Sequence, residues 1–476
     1  MQRYEIHHGD NLEWLRSQPD NSIDSFVTDP PYGLGKEPDM VKCLQDWIDH
    51  GYHVPSAKKG FMGREWDAFV PQPIFWKEVF RVLKPGGHVV SFGGTRTYDL
   101  MVLAIRLAGF EIRDQLSWIY GGGFPKSANV SKMIDKQAGA VREVVGTVKK
   151  AHITQANTNE GWHRPSHLNE DGSFKTEMNI TAPATDEAKG WDGWGTALSP
   201  SHEPIVLARK PLEKGLTVAQ NVLKWGCGAL NIDKSRIGVE GGTAKGTFPN
   251  EDSNGVYGNG LNGACEIVDI GKGRWPSNLL LANVPSVLGL FPETKGAGNI
   301  KEFVNKNLNY NASSYRLSNN KKPMVSGDVG GSNSRYFFRA DLLPIEEEEE
   351  LNLPIHAKAY YCSKPSKYER QLGKVTEGSH PTVKPVALMH HLVTLVTPPN
   401  GVCCDPFLGS GTTGIATMLA GPNIRFKGIE MTAEYIPIAT DRIKNWKHYR
   451  QFVDAKKEDT PSRKLAGEPS IQQSLF

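Results

Sequence analysis

Along residues 1–120 the apolar positions switch between two spacings, one suited to strands and one to helices. YEIHHGD predicts a short strand, and NLEWLRSQ a helix opened by Asn11 or Asp10 as its cap. SIDSFVTD predicts a strand. PIFWKEVFRVL carries apolar residues at helical intervals, KPGG ends that helix, and HVVSFGG reads as a buried strand. TYDLMVLAIRLAG predicts a further helix, and FEIRDQLSWIY a strand that could run on into a hairpin. Strands alternating with helices predict an α/β fold with a mostly parallel, doubly wound sheet.

From 121 to 379 this order breaks down. Gly, Asn, Ser and Lys dominate, as in GVYGNGLNGAC and GDVGGSNSRYFF, and an acidic run, Glu346 to Glu350, reads as a solvated surface. From 380 to 450 the alternation returns. KPVALMHHLVTLV predicts a helix, GVCCDPF a strand, LGSGTTGIATMLAG a loop entering a helix, RFKGIEM a strand and AEYIPIATDRIKNW a helix. Residues 451–476 are polar and read as a flexible tail. The simplest architecture is one sheet assembled from both ends of the chain (1–120 and 380–450), with 121–379 as an irregular inserted second domain.

Composition adds few constraints. Net charge is +3, from 55 Lys+Arg against 52 Asp+Glu, too balanced to demand a polyanionic partner or to oppose one. The six cysteines, at 43, 227, 265, 362, 403 and 404, form no C-x-x-C pair. They read as reduced thiols of a cytoplasmic protein with no metal site, Cys403 and Cys404 as buried packing residues. No apolar run approaches the roughly 20 residues needed to cross a bilayer, and MQRYEIHHGD carries no apolar signal region.

Two segments carry chemistry. DPFLGSGTTGIA sets Gly409, Gly411 and Gly414 in G-x-G-x-x-G spacing between a strand and a helix, and Glu430 ends the next strand. Glycines admit a ligand close to the backbone, a helix N-terminus offers unpaired N–H groups, and the acid accepts ribose hydroxyls. A dinucleotide and an adenosyl compound both fit that pattern. The second segment, VTDPPYGLG at 27–35, ends an apolar strand on two prolines, which cannot continue a ladder. Asp29, Pro30, Pro31 and Tyr32 are thereby held rigidly at a strand tip.

DPPY at 29–32 followed by DPFLGSGTT at 405–413 resembles the beta group of the amino-methylating DNA methyltransferases. HHGDNLEWL, RVLKPGGHVVSFGG, GGGFPKSANVSKMIDK and HPTVKP at 380–385 add to the resemblance, which covers about 1–120 and 380–448. It implies a circularly permuted S-adenosylmethionine-dependent methyltransferase fold, with a target-recognition domain in the middle. The implied reaction is site-specific methyl transfer to N6 of adenine in double-stranded DNA, of the kind found in restriction–modification. Cytosine N4 is the alternative, followed by RNA or protein amide methylation and by a non-catalytic DNA-binding role. The absence of a Pro-Cys dipeptide argues against methylation of a cytosine ring carbon.

In such a site Asp29 and the Pro30 carbonyl accept the two amino hydrogens, freeing the nitrogen lone pair, while Tyr32 stacks on a base flipped from the duplex. For the cofactor, the resemblance implies Asp405, Phe407, Gly409, Ser410, Gly411 and Thr412 around the loop. It gives Glu430 to the ribose, Asp10 to the adenine amino group, and Thr382 and Lys384 to the methionine end. DNA contacts fall on the basic and aromatic residues of the middle region, Lys126, Lys272, Arg274, Trp275 and Arg335. The last five residues, QQSLF, resemble the peptide by which bacterial proteins dock on the replication sliding clamp, with Gln472, Leu475 and Phe476 as its contacts. A homodimer, and a bacterial or phage-encoded origin, are further implications of the resemblance.

Overall fold

A computed structural model describes residues 3–55, 67–120, 127–149, 177–237, 243–246, 266–269, 275–283, 293–295, 330–332, 338–341, 367–372, 380 and 382–454. Its main sheet has nine strands. In chain order they are β1 (Tyr4–His8), β2 (Ile23–Thr28), β3 (Leu83–Phe92), β4 (Glu111–Ile119), β5 (His202–Arg209), β6 (Leu279–Asn283), β7 (Phe338–Asp341), β8 (Val402–Asp405) and β9 (Arg425–Glu430). Their spatial order is β1-β9-β8-β2-β3-β5-β4-β6-β7. Every neighbouring pair is parallel except the two involving β5.

Helices cover both faces, which explains why the central strands are apolar runs rather than alternating patterns. Successive side chains of β2 and β3 point to opposite faces. Phe26 and Val89 join a core with Phe75, Trp76, Val79, Leu100 and Met101 from α3 (Pro73–Val82) and α4 (Tyr98–Leu107). Val27 and Val90 join the opposite core with Leu388, Met389, Leu392 and Val393 of α7 (Val386–Val396). All of α7 except His390 is buried, in keeping with its mostly apolar sequence, and His391 and Thr394 are buried with it. The other numbered helices are α1 (Asn11–Ser17), α2 (Met40–His50), α5 (Val130–Gln137), α6 (Val218–Trp225), α8 (Thr412–Ala420) and α9 (Tyr435–Lys444). Of the two cap candidates for α1, Asp10 is the cap: its side chain accepts from Glu13 N at 2.8 Å.

Two local expectations are revised. KPGG does end α3, but Leu83 already pairs with Ile23, and pairing resumes between Ser25 and His88. The four residues thus bulge out of the ladder. Gly86 has φ +81°, and a Cβ there would lie 2.5 Å from Asn221 Nδ2 of α6, so only glycine fits. The antiparallel partner of FEIRDQLSWIY is the distant β5 rather than an adjacent hairpin strand.

The stretch 121–379 is likewise not wholly separate from the sheet. β5 sits at its centre, and β6 and β7 form one edge. The run PIVLAR is buried along its length, between β3 and β4, and its brevity within a Gly- and Ser-rich context hides it from periodicity. Between β4 and β5 a small unit is built from α5, a hairpin (Val144–Lys149 with Glu177–Thr181) and a short helix at Asp186–Gly190. The buried Asp135 carboxylate ties it together, accepting from Arg142 Nη1, the backbone N–H groups of Ala184 and Thr185, and Thr185 Oγ1.

Among the described residues no helix is long and apolar enough to cross a membrane, and no group of three His, Cys, Asp or Glu side chains could hold a metal ion. Cys43, Cys227, Cys403 and Cys404 are buried free thiols.

Candidate active site

β8 and β2 lie side by side at the centre of the parallel strands, Cys403 opposite Ser25 and Cys404 opposite Phe26. From β8 the chain passes through α8 to β9 on one side. From β2 it proceeds to β3 on the other. Divergence of the two connections opens a crevice at the carboxyl ends of the strands, where open α/β sheets bind ligands. A cavity of about 250 Å³ lies there.

The glycine loop forms one wall. Leu408 N–H donates to Ile429 O, and Gly9 N–H to Glu430 O, so the tips of β1, β9 and β8 are tied in one row. Gly409 (φ +50°) and Gly411 (φ +77°) adopt left-handed conformations, and Gly411 caps α8 without a side chain. Glu430 accepts from Gly409 N–H through Oε2 and from Thr432 N–H through Oε1, each at 2.8 Å. A carboxylate has about four lone-pair sites, so two remain for a ligand. From behind the loop the fully buried Arg442 of α9 donates to Ser410 O at 2.6 Å and Thr412 Oγ1 at 3.2 Å.

Asp10, Thr382, Lys384, Asp405, Phe407, Gly409, Ser410, Thr412 and Glu430 all line the cavity, joined by Asp29 and Pro31. Gly411, Pro30 and Tyr32 adjoin it through their neighbours in the chain. Asp405 is an anchor: it accepts from Thr28 Oγ1 (2.7 Å), Thr413 Oγ1 (2.6 Å) and Phe407 N–H (3.1 Å), tying β2 to the loop. Burial pushes its carboxyl up to about 6 against those donors. His380 stands beside Tyr435, rings 4.3 Å apart, with Nδ1 2.7 Å from Thr382 O. Burial lowers its pKa to about 4, so the ring is neutral at pH 7.

The Asp-Pro-Pro-Tyr tip is pinned from two sides. Asp67 Oδ1 accepts from Tyr32 N–H (2.9 Å) and Gly33 N–H (3.1 Å), and Thr97 Oγ1 donates to Tyr32 O. Lys384, just before α7, points at this tip. Its Nζ lies 2.5 Å from Asp29 Oδ2, 3.1 Å from Tyr32 Oη and 3.2 Å from Glu203 Oε2. Tyr32 Oη is itself 2.9 Å from Asp29 Oδ1 and 2.9 Å from Glu203 Oε2. Burial alone would lower the Lys384 pKa, but Asp29 and Glu203 outweigh it and hold the ammonium charged. Burial and the two carboxylates push the Tyr32 phenol well above its ordinary value.

Two members of this cluster escape sequence reading. Glu203 comes from β5, inside the stretch read as an insert, and Asp67 from a turn with no pattern. Glu203 is the second residue of β5, just ahead of the apolar run PIVLAR, and nothing local in the sequence marks it. Lys384 serves the Asp29 side of the cavity. Lys126, Lys272, Arg274, Arg335, Gln472, Leu475 and Phe476 lie outside the described residues, as does the Glu346–Glu350 run. Trp275 is exposed, with the Arg236 guanidinium 5.4 Å from its ring centre.

A family model described as DNA methylase matches residues 23–441, nearly the whole span that holds these elements. The chain belongs to this DNA methylase family. Type II methyltransferase M.HindIII of Haemophilus influenzae is 25% identical over 243 residues, 48% of this chain and 64% of that protein. DNA adenine methyltransferase YhdJ of Escherichia coli is 36% identical over 84 residues, 17% of this chain and 28% of that protein. The matched stretch therefore spans less than two thirds of either relative. Among solved structures, PvuII DNA methyltransferase (cytosine-N4-specific) aligns over 95% of this chain and 93% of that chain, with 13% identity and a TM-score of 0.39. That likeness is too loose to carry an argument.

Proposed function

We propose that this DNA methylase transfers a methyl group from S-adenosylmethionine to the exocyclic N6 of a flipped-out adenine in double-stranded DNA. One observation carries the proposal: Asp29, at the tip of β2, opens into the same cavity as the glycine loop and Glu430. Family membership and the name of the YhdJ relative support the DNA and adenine parts.

The residues fit the cofactor. Glu430 has lone pairs left for ribose hydroxyls, Asp10 has one carboxylate oxygen beyond its cap bond, and Phe407 and Met431 offer apolar walls. S-adenosylmethionine bound there supplies an electrophilic methyl on a sulfonium.

The chain's own residues do the rest. An exocyclic amino nitrogen shares its lone pair with the ring and is a poor nucleophile. Asp29 and the Pro30 carbonyl accept its hydrogens, aim the lone pair and hold the nitrogen in place, a positioning contribution more than a basic one. Lys384 Nζ, 2.5 Å from Asp29 Oδ2, fixes that oxygen in place for the task. Tyr32 offers a ring whose hydroxyl is already tethered, so little ordering is needed when a base stacks on it.

The test is methyl transfer to unmethylated genomic DNA, followed by nucleoside digestion and mass spectrometry, with wild type and Asp29→Ala side by side. N6-methyladenine that vanishes in the variant is the expected result. N4-methylcytosine replaces adenine by cytosine as the target, and no methylated nucleoside overturns the proposal. For further partners, the QQSLF sequence supports docking on a sliding clamp; binding that survives Leu475→Ala with Phe476→Ala removes it. A homodimer is tested by sedimentation.

A further inference from the structure

Asp29 must pass on the proton it receives if it is to remain an acceptor, and its immediate surroundings show where that proton goes. Two oxygens of Asp29 have different partners: Oδ2 faces the Lys384 ammonium and Oδ1 faces Tyr32 Oη. The phenol oxygen is equidistant from Asp29 Oδ1 and Glu203 Oε2, at 2.9 Å. A phenol has one proton and donates to only one carboxylate at a time; once Asp29 has taken up a proton, the same oxygen can accept from Asp29 while donating to Glu203. We infer that Glu203 is the terminal proton acceptor of methyl transfer, acting on Asp29 through the Tyr32 hydroxyl.

The inference rests on the methyl-transfer reading above. The steps balance as follows. The nitrogen lone pair forms the new C–N bond as the methyl–sulfur bond breaks and leaves a neutral thioether. The amino nitrogen's acidified N–H bond breaks and its proton joins Asp29 Oδ1. That proton passes to Tyr32 Oη while the phenol's own proton passes to Glu203 Oε2. One proton has then moved from the amino group to Glu203, Asp29 is again a carboxylate, and the phenol is again neutral.

The surroundings favour this direction. Lys384 Nζ lies 2.5 Å from Asp29 but 3.2 Å from Glu203, so it holds the negative charge on Asp29 more firmly. The raised pKa of Tyr32 keeps the phenol a neutral carrier rather than a phenolate. Asp29 and Glu203 are equally exposed, 19% and 18%, so the distance from Lys384 and not access to water sets the direction. The titratable groups facing Glu203 are Asp29, Tyr32 and Lys384, and Tyr120 beyond the end of β4, whose own pKa burial and Glu203 raise. Glu203 also explains an oddity of composition: a carboxylate at the start of a central, buried strand, beside another carboxylate, is costly unless the pair is used.

The experiment measures single-turnover methyl transfer to unmethylated genomic DNA for wild type, Glu203→Gln, Glu203→Asp, Tyr32→Phe and the Tyr32→Phe/Glu203→Gln double variant. S-adenosylmethionine affinity is measured alongside. Gln keeps the oxygen that faces Lys384 and Tyr32, so cofactor affinity should match wild type. The rate should fall on the order of ten-fold. That is less than the roughly 10²–10⁴-fold of a primary general base, because Asp29 remains the first acceptor. Glu203→Asp should recover part of the rate, and the rate of Glu203→Gln should climb with pH where wild type is flat. The double variant should be no slower than Tyr32→Phe alone, since both changes cut one path. A wild-type rate in Glu203→Gln, or a double variant slowed by the product of the single effects, overturns the relay while leaving the methyltransferase reading standing. A wild-type protein that methylates no DNA overturns both.

Discussion

Replacing Lys384 by Met is the most informative single perturbation. The Lys384 side chain is 91% buried, and its ammonium faces three oxygens within 3.2 Å, those of Asp29, Tyr32 and Glu203. Met fills the stem's volume but leaves two carboxylates facing each other across one phenol. Removing one partner of a buried ion pair costs about 3–5 kcal/mol. Asp29 and Glu203 keep 19% and 18% exposure, so water reaches them and the lower end, about 3 kcal/mol, applies. At roughly 2.1 cal/mol/K per residue a 476-residue chain has an unfolding entropy of about 1 kcal/mol/K, so this loss predicts a fall in Tm of about 3 °C. The remaining carboxylates repel, so one of them keeps its proton in the folded state to higher pH than in the unfolded chain. A raised carboxyl pKa favours the folded state in acid and loses that advantage as pH rises. The deficit of Lys384→Met should therefore grow from mild acid to pH 8. Calorimetry at pH 5.5 and 8, paired with single-turnover methyl transfer, reads both effects. An unchanged Tm at both pH values, or a wild-type transfer rate at pH 7, would refute the assignment of Lys384 as the charge that organises the site.

Three other outcomes follow from the same geometry. Gly409→Ala places a Cβ 3.0 Å from His380 Nε2 in a left-handed backbone, so S-adenosylmethionine affinity measured by calorimetry should weaken about ten-fold, a cost of about 1.4 kcal/mol. Asp67→Ala removes the acceptor of Tyr32 N–H and Gly33 N–H, and should lower the transfer rate several-fold while cofactor affinity stays at wild type. His88 and His380 are pushed down to about 3 and about 4, chiefly by burial. Their neutral rings contribute stability in full above about pH 6.5 that is lost on acidification toward pH 4, as the unfolded chain takes up protons first. His380→Gln should flatten that acid limb in urea titrations by on the order of 3 kcal/mol, and an acid limb unchanged from wild type contradicts the burial argument.

What could be read from sequence follows from how each feature is encoded. The α/β alternation, a cap at Asp10 or Asn11 and the helix α7 are local patterns; the structure bears them out and settles the cap on Asp10. The glycine loop and Asp29 were legible because backbone constraint leaves a residue signature: glycine for positive φ, proline for a terminated ladder. Glu203 and Asp67 were not legible. Each matters through partners far away in the chain, Tyr32 and Lys384 for Glu203 and Tyr32 for Asp67, and no local pattern encodes such pairings. The same holds for β5: eight residues are too few for periodicity to speak when the neighbouring stretch is rich in Gly and Ser.

The adjacency of β2 and β8 has a temporal side. Ser25 Oγ meets Thr397 Oγ1 at 2.8 Å, and Val402 N–H reaches the Asp24 carboxylate, across more than 370 residues of chain. Closing so long a loop is slow compared with making local contacts. During synthesis the first strands must wait, with one edge of β2 unpaired, until β8 has left the ribosome. Asp29 is made 355 residues ahead of its charge partner Lys384, and the Glu430 side of the cavity follows later still. A chain that has not yet reached Lys384 leaves the Asp29 carboxylate without its ammonium and the cavity without one wall. The two halves of the cavity are joined only when both β2 and β8 are in place.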